Sequence, residues 1–134
     1  MHNCIFCAIN AGEIPAYVIH EDELFLAILD RFPAAKGHVL IIPKRHAVDL
    51  AELDEKEAAA LMPLAKRLAD KIQAELKPDG LNLLQNNGED AGQVIFHFHL
   101  HLIPRYKGDG FKLSHPHNDV QLSELEELAV KLKL

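Results

Sequence analysis

Large apolar residues and histidines alternate through residues 95–103, and this run limits the possible folds more than any other segment. Its centre, 97–103, reads HFHLHLI and places His97, His99 and His101 at every second position. Side chains alternate across a β-strand, so the spacing predicts a strand over 95–103 that carries all three imidazoles on one face. The opposite face is predicted to pack against a helix layer through Phe96, Phe98, Leu100 and Leu102.

Three imidazoles on one face favour chemistry over chance, although a half-exposed strand that happens to use histidine is the simpler alternative. Three successive positions span about 13 Å, so they cannot all reach one zinc ion through bonds of about 2.1 Å. A neutral imidazole attacks phosphorus when one ring nitrogen is free and the other donates to an acceptor. Neighbouring histidines then donate to phosphate oxygens, so the pattern indicates nucleophilic catalysis at phosphorus.

The rest of the chain predicts an α+β fold: a five-stranded, mainly antiparallel sheet with one long helix and shorter terminal helices. Asp54 with Glu57 forms a capping-box pattern for the long helix, and Ser123 with Glu126 does so for the last helix. Pro63 is expected to kink the long helix or to move its start. The predicted strands are 16–22, 23–30, 37–43, 81–86 and 95–103, and the predicted helices are 3–12, 54–77 and 124–133.

The two cysteines, Cys4 and Cys7, form a C-x-x-C pair near the N-terminus. A redox pair requires a βαβ context that the sequence does not predict, and two reduced, partly buried thiols are the plain alternative. Two thiolates need two further ligands for a tetrahedral zinc site. His46 follows a strand end and His97 opens the histidine run, so a structural zinc site with two cysteines and two histidines is the other open interpretation.

Composition and charge exclude several classes of protein. The chain has 134 residues, 49% of them hydrophobic and 25% charged, which suits one globular domain. Its net charge of −6 and the lack of a long basic run argue against a nucleic-acid partner. We find neither a signal-peptide pattern nor an apolar run of membrane-spanning length, so we expect no membrane partner and a cytoplasmic location.

These motifs together resemble the histidine triad (HIT) family of nucleotide hydrolases and transferases, most closely its small bacterial and Hint-like branch. HFHLHLI fits the family's signature, in which histidine alternates with apolar residues. The segments IFCAINAGEIPAYVIHEDELFLAILD, GHVLIIPKRH and NNGEDAGQVIFHFHLHLIPR occur in the family's order. The resemblance implies an HIT domain over 1–112, with a C-terminal tail over 113–134 that carries a short helix and belongs to the same single domain.

The resemblance also implies a role for each matching residue. His99 is the expected nucleophile, His101 the contact to the α-phosphate or leaving group, and Asp30 the acceptor for the ribose hydroxyls. Val94 departs from branches that often carry Ser or Thr, so a hydroxyl contact to phosphate is missing. The remaining expected site residues are His97 and Gln93 in the catalytic set, Gln93 and Asn86 on phosphate oxygens, Phe6, Ile9, Ile14 and Leu29 around the base, His38 beside the triad, and Cys4, Cys7, His46 and His97 on zinc.

The function implied by the resemblance is hydrolysis or transfer at the α-phosphate of nucleoside 5′-phosphoryl compounds through a covalent nucleotidyl-histidine intermediate, with release of nucleoside monophosphate. The expected substrate is a purine nucleoside phosphoramidate or an adenylylated small molecule. The alternatives are a dinucleoside polyphosphate hydrolase, a nucleotide-binding or scaffold protein with little turnover, and a zinc protein of regulatory type. Structural zinc is the expected cofactor, with no organic cofactor, and the family implies a homodimer through the long helix and an edge strand.

Overall fold

Five short strands form the centre of the computed structural model, which describes residues 3–134. They are β1 (Val18–Glu21), β2 (Phe25–Leu29), β3 (Val39–Pro43), β4 (Gly80–Leu84) and β5 (Leu100–Arg105). All neighbouring strands pair antiparallel in the order β1-β2-β3-β5-β4, so β1 and β4 are the edges of the sheet. The predicted α+β class and its five-stranded antiparallel sheet are confirmed.

Three helices accompany the sheet: α1 (Ile5–Asn10), α2 (Glu55–Leu76) and α3 (Leu122–Leu132). α2 begins with the predicted capping box, because the Glu57 backbone N–H donates to the Asp54 carboxylate at 2.8 Å and the Glu57 carboxylate accepts from the Asp54 backbone N–H at 3.3 Å. Pro63 lies within this continuous helix and does not move its start. Among the residues that the structure describes, no helix is long and apolar enough to cross a membrane.

The sheet has a separate apolar core on each face, because successive strand residues point in opposite directions. In β3, Ile41 packs towards α2, whereas its neighbours Leu40 and Ile42 pack towards α1. The α2 side joins side chains from β2, β3, β5, the segment before β5 and α2, including Phe25, Ala27, Val39, Ile41, Phe98, Leu100, Leu102, Leu64, Ala65 and Leu68. The α1 side joins Phe6 to Leu26, Ile28, Leu40 and Ile42.

The histidine run enters the sheet later than predicted. β5 begins at Leu100 rather than at residue 95. Before that point the Phe98 backbone N–H donates to the Ala47 carbonyl at 2.6 Å, a loop oxygen outside the sheet ladder. Phe96 was predicted to face the core but is 48% exposed, because it precedes the part of the run that packs against α2.

The same strand also ends later than predicted. It continues through Pro104 to Arg105, both of which pair with β4. β3 pairs with β5 only between Leu100 and Leu102, so Pro104 lies where β5 has a neighbour on one side alone. A proline is tolerated in such an edge-like position because its missing N–H leaves no ladder bond unmade.

The last helix starts earlier than predicted and uses a different N-terminus. α3 begins at Leu122 after Gln121, which makes no side-chain cap. Ser123 is therefore already inside the helix, and the predicted Ser123–Glu126 cap is wrong. No residue of α3 is buried. The assignment of the tail to the same single domain as 1–112 stays a prediction.

Candidate functional site

The three histidines of the triad lie on the sheet face that α1 covers. His101 pairs across the sheet with Leu40, a core residue of that face. The Phe6 ring of α1 lies 5.7 Å from the His97 ring and 5.0 Å from the His99 ring, measured between centroids. The rings of His99 and His101 are 4.8 Å apart. The structure thus places all three rings on one side, as their alternation predicts, although His97 and His99 precede β5.

The His99 ring is held with one nitrogen free. Its Nδ1 lies 2.7 Å from the His97 backbone carbonyl, and because a carbonyl oxygen only accepts, Nδ1 must carry the proton. In the neutral ring, Nε2 then bears the lone pair. This is the arrangement that a nucleophilic histidine requires, and a backbone oxygen fixes it.

His38 fixes the His101 ring in the other tautomer, with Nδ1 as a hydrogen-bond acceptor. The Ala34 backbone N–H donates to His38 Nδ1 at 3.0 Å, so the proton of neutral His38 is on Nε2. That Nε2–H lies 2.9 Å from His101 Nδ1, which must therefore accept. Neutral His101 then carries its proton on Nε2 and is a hydrogen-bond donor rather than a base. The expected place of His38 beside the triad agrees with this chain of contacts.

Burial keeps these imidazoles neutral at pH 7. It is the main cause that lowers the pKa of His99, with the nearby Asp30 carboxylate acting in the opposite direction. Burial also lowers the pKa of His38. For His101, burial together with the neighbouring His99 and His38 lowers the pKa to about 4. A ring that stays neutral keeps the lone pair that nucleophilic attack needs.

A second cluster lies beside the triad and is formed by Cys4, Cys7, His46 and His97. One ligand atom from each of the four residues lies within 4.8 Å of all the others. His97 Nδ1 is 3.2 Å from Cys4 Sγ, 3.6 Å from Cys7 Sγ and 3.1 Å from His46 Nδ1. The structure therefore brings the four predicted metal ligands together, from α1, from the segment after β3 and from the segment before β5.

The donor set fits a tetrahedral zinc ion. Bonds of about 2.1 Å to nitrogen and 2.3 Å to sulfur separate neighbouring ligands by about 3.4–3.8 Å, close to the distances in the cluster. His97 Nε2 lies 2.9 Å from the Pro43 carbonyl and must carry the proton, so Nδ1 presents a lone pair to the thiols. Burial is the main cause that raises the pKa of the Cys7 thiol, and a dication would offset that effect by stabilising the thiolate.

His97 contacts the catalytic side through its backbone and not through its ring. Both ring nitrogens are engaged, Nε2 with Pro43 and Nδ1 with the cysteine cluster. The ring is fully buried. Its predicted place in the catalytic set is therefore limited to the carbonyl that orients His99.

Gln93 occupies a different position from the predicted phosphate contact. Its side chain is 3% exposed. Its amide nitrogen donates to the Val48 carbonyl at 2.7 Å and to the Ile95 carbonyl at 3.2 Å, while its Oε1 accepts from the Gly88 backbone N–H at 2.8 Å. These bonds use both amide hydrogens and the oxygen within the protein. This does not fit a phosphate contact, and Gln93 instead holds the loop that leads to the triad.

Asp30 and Asn86 keep polar atoms available. The Asp30 Oδ1 accepts from the Phe32 backbone N–H at 2.8 Å, and its Oδ2 is 3.6 Å from His38 Nε2, beyond a hydrogen bond. The Asn86 amide donates to the Gly92 carbonyl at 3.3 Å. The second N–H of that amide has no partner within the described part of the chain. Both residues therefore retain capacity for a ligand.

Of the four residues predicted to surround the base, only Phe6 and Ile9 lie in one apolar cluster. Phe6 and Ile9 pack on the α1 side of the sheet. Ile14 lies outside that cluster and is 38% exposed. Leu29 follows the alternation of β2 to the opposite face, where it lines a cavity beside α2. Ile28 is the β2 residue that joins Phe6, and the even spacing from Asp30 back to Ile28 was the signal in the sequence.

Comparisons with known proteins place this fold and site in one family. A sequence model described as the HIT domain matches residues 11–108. The protein hit of Bacillus subtilis is 50% identical over 110 residues, which cover 81% of this chain and 76% of that protein. The adenosine 5′-monophosphoramidase hnt1 of Schizosaccharomyces pombe is 38% identical over 136 residues, covering 98% of this chain and 99% of that one.

Solved structures agree with the sequence comparisons. A HIT family protein from Bacillus anthracis superposes with a TM-score of 0.92 and 44% identity, covering 97% of this chain and 94% of that one. A zinc-bound histidine triad family protein from Mycobacterium smegmatis superposes with a TM-score of 0.78 and 41% identity, covering 87% and 85% of the two chains. The fold and the triad define the histidine triad class, and the chain belongs to the HIT family.

Proposed function

We propose that the chain is a nucleotide hydrolase or transferase that acts at the α-phosphorus of nucleoside 5′-phosphoryl compounds, with purine nucleoside phosphoramidates or adenylylated small molecules as substrates. The observation that carries this proposal is the His99 ring, whose Nδ1 is fixed by the His97 carbonyl so that Nε2 is a free nucleophile. Membership of the HIT family and the similarity to a relative named as a phosphoramidase support hydrolysis of nucleotide compounds in general.

The proposed reaction has two displacements at phosphorus. In the first, a bond forms between His99 Nε2 and phosphorus, the bond from phosphorus to the leaving amine, phosphate or nucleotide breaks, and the leaving group takes a proton from the solvent, to which the attacking water of the second step returns one. In the second, a water oxygen binds phosphorus and the P–N bond to His99 breaks, which releases nucleoside monophosphate and neutral His99. Over both steps one water is consumed, and its hydrogens end on the monophosphate and the leaving group.

The groups around His99 supply binding and charge stabilisation. His101 Nε2–H is the donor we assign to a phosphate oxygen, since its other nitrogen is occupied by His38. Asn86 has an amide hydrogen for a second oxygen. Asp30 accepts from the ribose hydroxyls through the oxygen that has no hydrogen bond. Ile9 is the partly exposed apolar residue for the base, supported by the buried Phe6 and Ile28, and with Gln93 engaged elsewhere these groups complete the proposed site.

The test is turnover of an adenosine phosphoramidate by the purified protein. We expect AMP release by the wild type and a loss of more than about 10³-fold in His99→Ala, as for other removed nucleophiles. His115→Ala, a substitution in the exposed tail, is the matched control and is expected to leave turnover unchanged. Undiminished turnover in His99→Ala contradicts the proposal. Binding of AMP without turnover by the wild type favours the nucleotide-binding alternative.

Structural zinc held by Cys4, Cys7, His46 and His97 is the cofactor that we propose. The convergence of these residues supports it, as does the zinc-bound relative from Mycobacterium smegmatis. When bound, zinc supplies a closed four-ligand cross-link rather than an open Lewis-acid position. Cys4 and Cys7 are free thiols available for this metal, which is consistent with the cytoplasm as the proposed compartment.

A homodimer through α2 and an edge strand is the proposed assembly. Met62 of α2 is 57% exposed, and Leu83 of the edge strand β4 is 43% exposed. Exposed apolar side chains on an edge and an adjacent helix are typical of surfaces that a second copy covers. Light scattering of the purified chain tests this assembly, and a monomer at all concentrations contradicts it.

A further inference from the structure

The sulfur atoms of Cys4 and Cys7 are unbonded to each other and lie close together in the cysteine and histidine cluster. Each ligand atom of that cluster is within 4.8 Å of the others. The Cys7 backbone N–H donates to Cys4 Sγ at 3.3 Å, which holds that sulfur over the first turn of α1. A disulfide needs a sulfur separation of about 2.05 Å, and residues three apart on a helical turn are neighbours. Rotation of the two side chains therefore brings the sulfurs into bonding range.

A cleft of about 520 Å³ leads to one of the two thiols. Cys4 and His46 line it, whereas Cys7 does not. Four apolar residues form most of the remaining wall: Ile5, Val94, Ile95 and Phe96. No described residue that lines the cleft has a carboxylate, ammonium or guanidinium group, so an uncharged oxidant enters at lower cost than a charged one. Cys4 is therefore the thiol that meets a neutral oxidant such as hydrogen peroxide first.

The two sulfurs available for a disulfide are also the two proposed for zinc. A closed zinc site has four ligands, and thiolates bind the metal whereas the sulfurs of a disulfide do not. With Cys4 joined to Cys7, only His46 and His97 remain of the proposed ligands. The bound metal and the disulfide therefore exclude each other, and zinc protects the thiolates that it holds.

His97 connects this cysteine pair to the proposed nucleophile. Its Nδ1 lies 3.2 Å from Cys4 Sγ and 3.6 Å from Cys7 Sγ. Its backbone carbonyl accepts from the Nδ1–H of the His99 ring at 2.7 Å. A disulfide takes both sulfurs, and with them the metal, away from the His97 ring. The carbonyl that orients His99 is then held by fewer contacts, although nothing touches the His99 ring itself.

We propose that Cys4 and Cys7 form an oxidation site for hydrogen peroxide, at which a reversible disulfide replaces the metal and weakens the orientation of His99. The proposed effect on turnover rests on the proposed function. Disulfide formation and metal release do not, and their measurement needs no substrate. A reversible disulfide of this kind suits a reducing compartment, where disulfides are transient and often sense oxidants.

The oxidation has two steps. In the first, the Cys4 thiolate attacks hydrogen peroxide, an S–O bond forms, the O–O bond breaks and hydroxide leaves. In the second, the Cys7 thiolate attacks the sulfenic sulfur of Cys4, the S–S bond forms, the S–O bond breaks and a second hydroxide leaves. The two sulfurs lose two electrons, which the peroxide gains. Two protons from the solvent convert the hydroxides to water, and zinc leaves as the aqueous ion.

The experiment treats the zinc-loaded, full-length chain with hydrogen peroxide and follows its free thiols, mass and released zinc. The chain has only two cysteines, so a thiol titration reports on this pair alone. We expect loss of both thiols, a mass lower by two hydrogens, and release of about one zinc per chain. Dithiothreitol should restore both thiols and the capacity to bind zinc. A chelator added before the peroxide should speed the oxidation, because it removes the protecting metal.

Turnover of an adenosine phosphoramidate gives the second readout on the same samples. We expect it to fall by more than about tenfold in the oxidised chain, because a displaced nucleophile is a poor one. Dithiothreitol should restore it, which separates this effect from oxidation of methionine, since dithiothreitol does not reduce a methionine sulfoxide.

Two single variants form a matched pair that separates the roles of the thiols. Cys7→Ser keeps the thiol in the cleft and removes its partner, so peroxide with dimedone should leave a dimedone adduct on the Cys4 sulfenic acid. Cys4→Ser keeps only the thiol outside the cleft and should give much less adduct on Cys7. The chelated wild type provides the same comparison without a substitution, with the adduct located by peptide mass.

Each part of the proposal has a result that overturns it. Thiols that persist in the metal-free chain under peroxide, or an adduct mainly on Cys7, overturn the oxidation site. Zinc retained by the oxidised chain overturns the exchange of metal for disulfide. Equal turnover of the oxidised and reduced chains overturns the link to His99. A reduced chain without turnover contradicts the proposed function instead, and the thiol, mass and zinc measurements still decide the oxidation site.

Discussion

In both His99 and His101 the ring nitrogen without a partner among the described residues is Nε2, but it carries a lone pair in His99 and a proton in His101. The difference arises because the Nδ1 atoms of the two rings have different partners. The His97 carbonyl accepts a hydrogen bond from the His99 Nδ1–H, which leaves the lone pair on Nε2. The Ala34 N–H, acting through His38, puts the proton of His101 on Nε2. Although both are histidines two residues apart, His99 therefore presents a lone pair and His101 a hydrogen-bond donor, from neighbouring rings.

The lowered pKa of His101 predicts a specific dependence of stability on pH. The folded state binds its proton only near pH 4, whereas an unfolded chain binds it near 6.5. The neutral ring thus contributes stability that is fully present above pH 6.5 and is lost as the pH falls towards 4. We expect His101→Gln to reduce this acid loss of unfolding free energy, measured by urea denaturation between pH 4.5 and 8. His117→Gln, in the exposed tail, is expected to keep the wild-type slope, and equal slopes in all three proteins contradict the prediction.

Side-chain alternation predicts the correct sheet face for Leu29, whereas no sequence pattern predicts the position of the Gln93 side chain. Leu29 is one residue from Asp30, so period-two alternation already sends it to the face opposite the triad. Gln93 is different, because its amide donates to the carbonyl of Val48, which is distant in sequence. Backbone partners of this kind depend on tertiary contacts, and the chemical type of Gln93 suits both a phosphate and a carbonyl.

At the level of elements, sequence patterns located the long helix well and the histidine strand poorly. α2 spans Glu55–Leu76 against a prediction of 54–77, because its capping box and apolar stripe are local signals. The pattern before β5 is equally regular, yet His97 contacts the cysteine and histidine cluster and the Phe98 N–H donates to the Ala47 carbonyl instead of to a neighbouring strand. Alternation predicts which side a residue faces and not where pairing begins.

The N-terminus of α2 gives a prediction at this scale. Glu57 is buried and its Oε1 accepts from Arg45 Nε at 2.9 Å and from the Asp54 backbone N–H at 3.3 Å. We expect Glu57→Ala to lower the free energy of unfolding by about 1–3 kcal/mol, through loss of the capping box and the buried acceptor. Glu55→Ala, an exposed first-turn substitution, is expected to stay within about 0.5 kcal/mol. Urea denaturation measures both, and equal effects contradict the assignment.

For the whole molecule, the cysteine and histidine cluster connects segments that are far apart in sequence. It joins α1 to the segment after β3 and to His97, whose backbone carbonyl orients the His99 ring. Asn10 strengthens the same connection, because its amide donates to the Pro43 carbonyl at 3.3 Å, the oxygen that also accepts from His97. Stability and the orientation of His99 therefore both depend on this one region.

Removal of the proposed metal should weaken the connection between α1, the segment after β3 and the segment before β5. We expect about one zinc per chain by elemental analysis, and a chelator should lower the melting temperature, since a ligand at about 1,000 times its Kd stabilises by about 4 kcal/mol. Chelation should also make Cys4 and Cys7 reactive towards a thiol reagent, because metal-bound thiolates are shielded. Cys4→Ser combined with Cys7→Ser should bind no zinc and melt at the temperature of the chelated wild type. The rings of the tail histidines His115 and His117 lie 5.0 Å apart between centroids, outside both the cluster and the triad, so replacing both with alanine tests whether they bind the ion instead. Full zinc content in that control locates the metal in the cluster, whereas a wild type that is folded, free of zinc and unaffected by the chelator refutes the site.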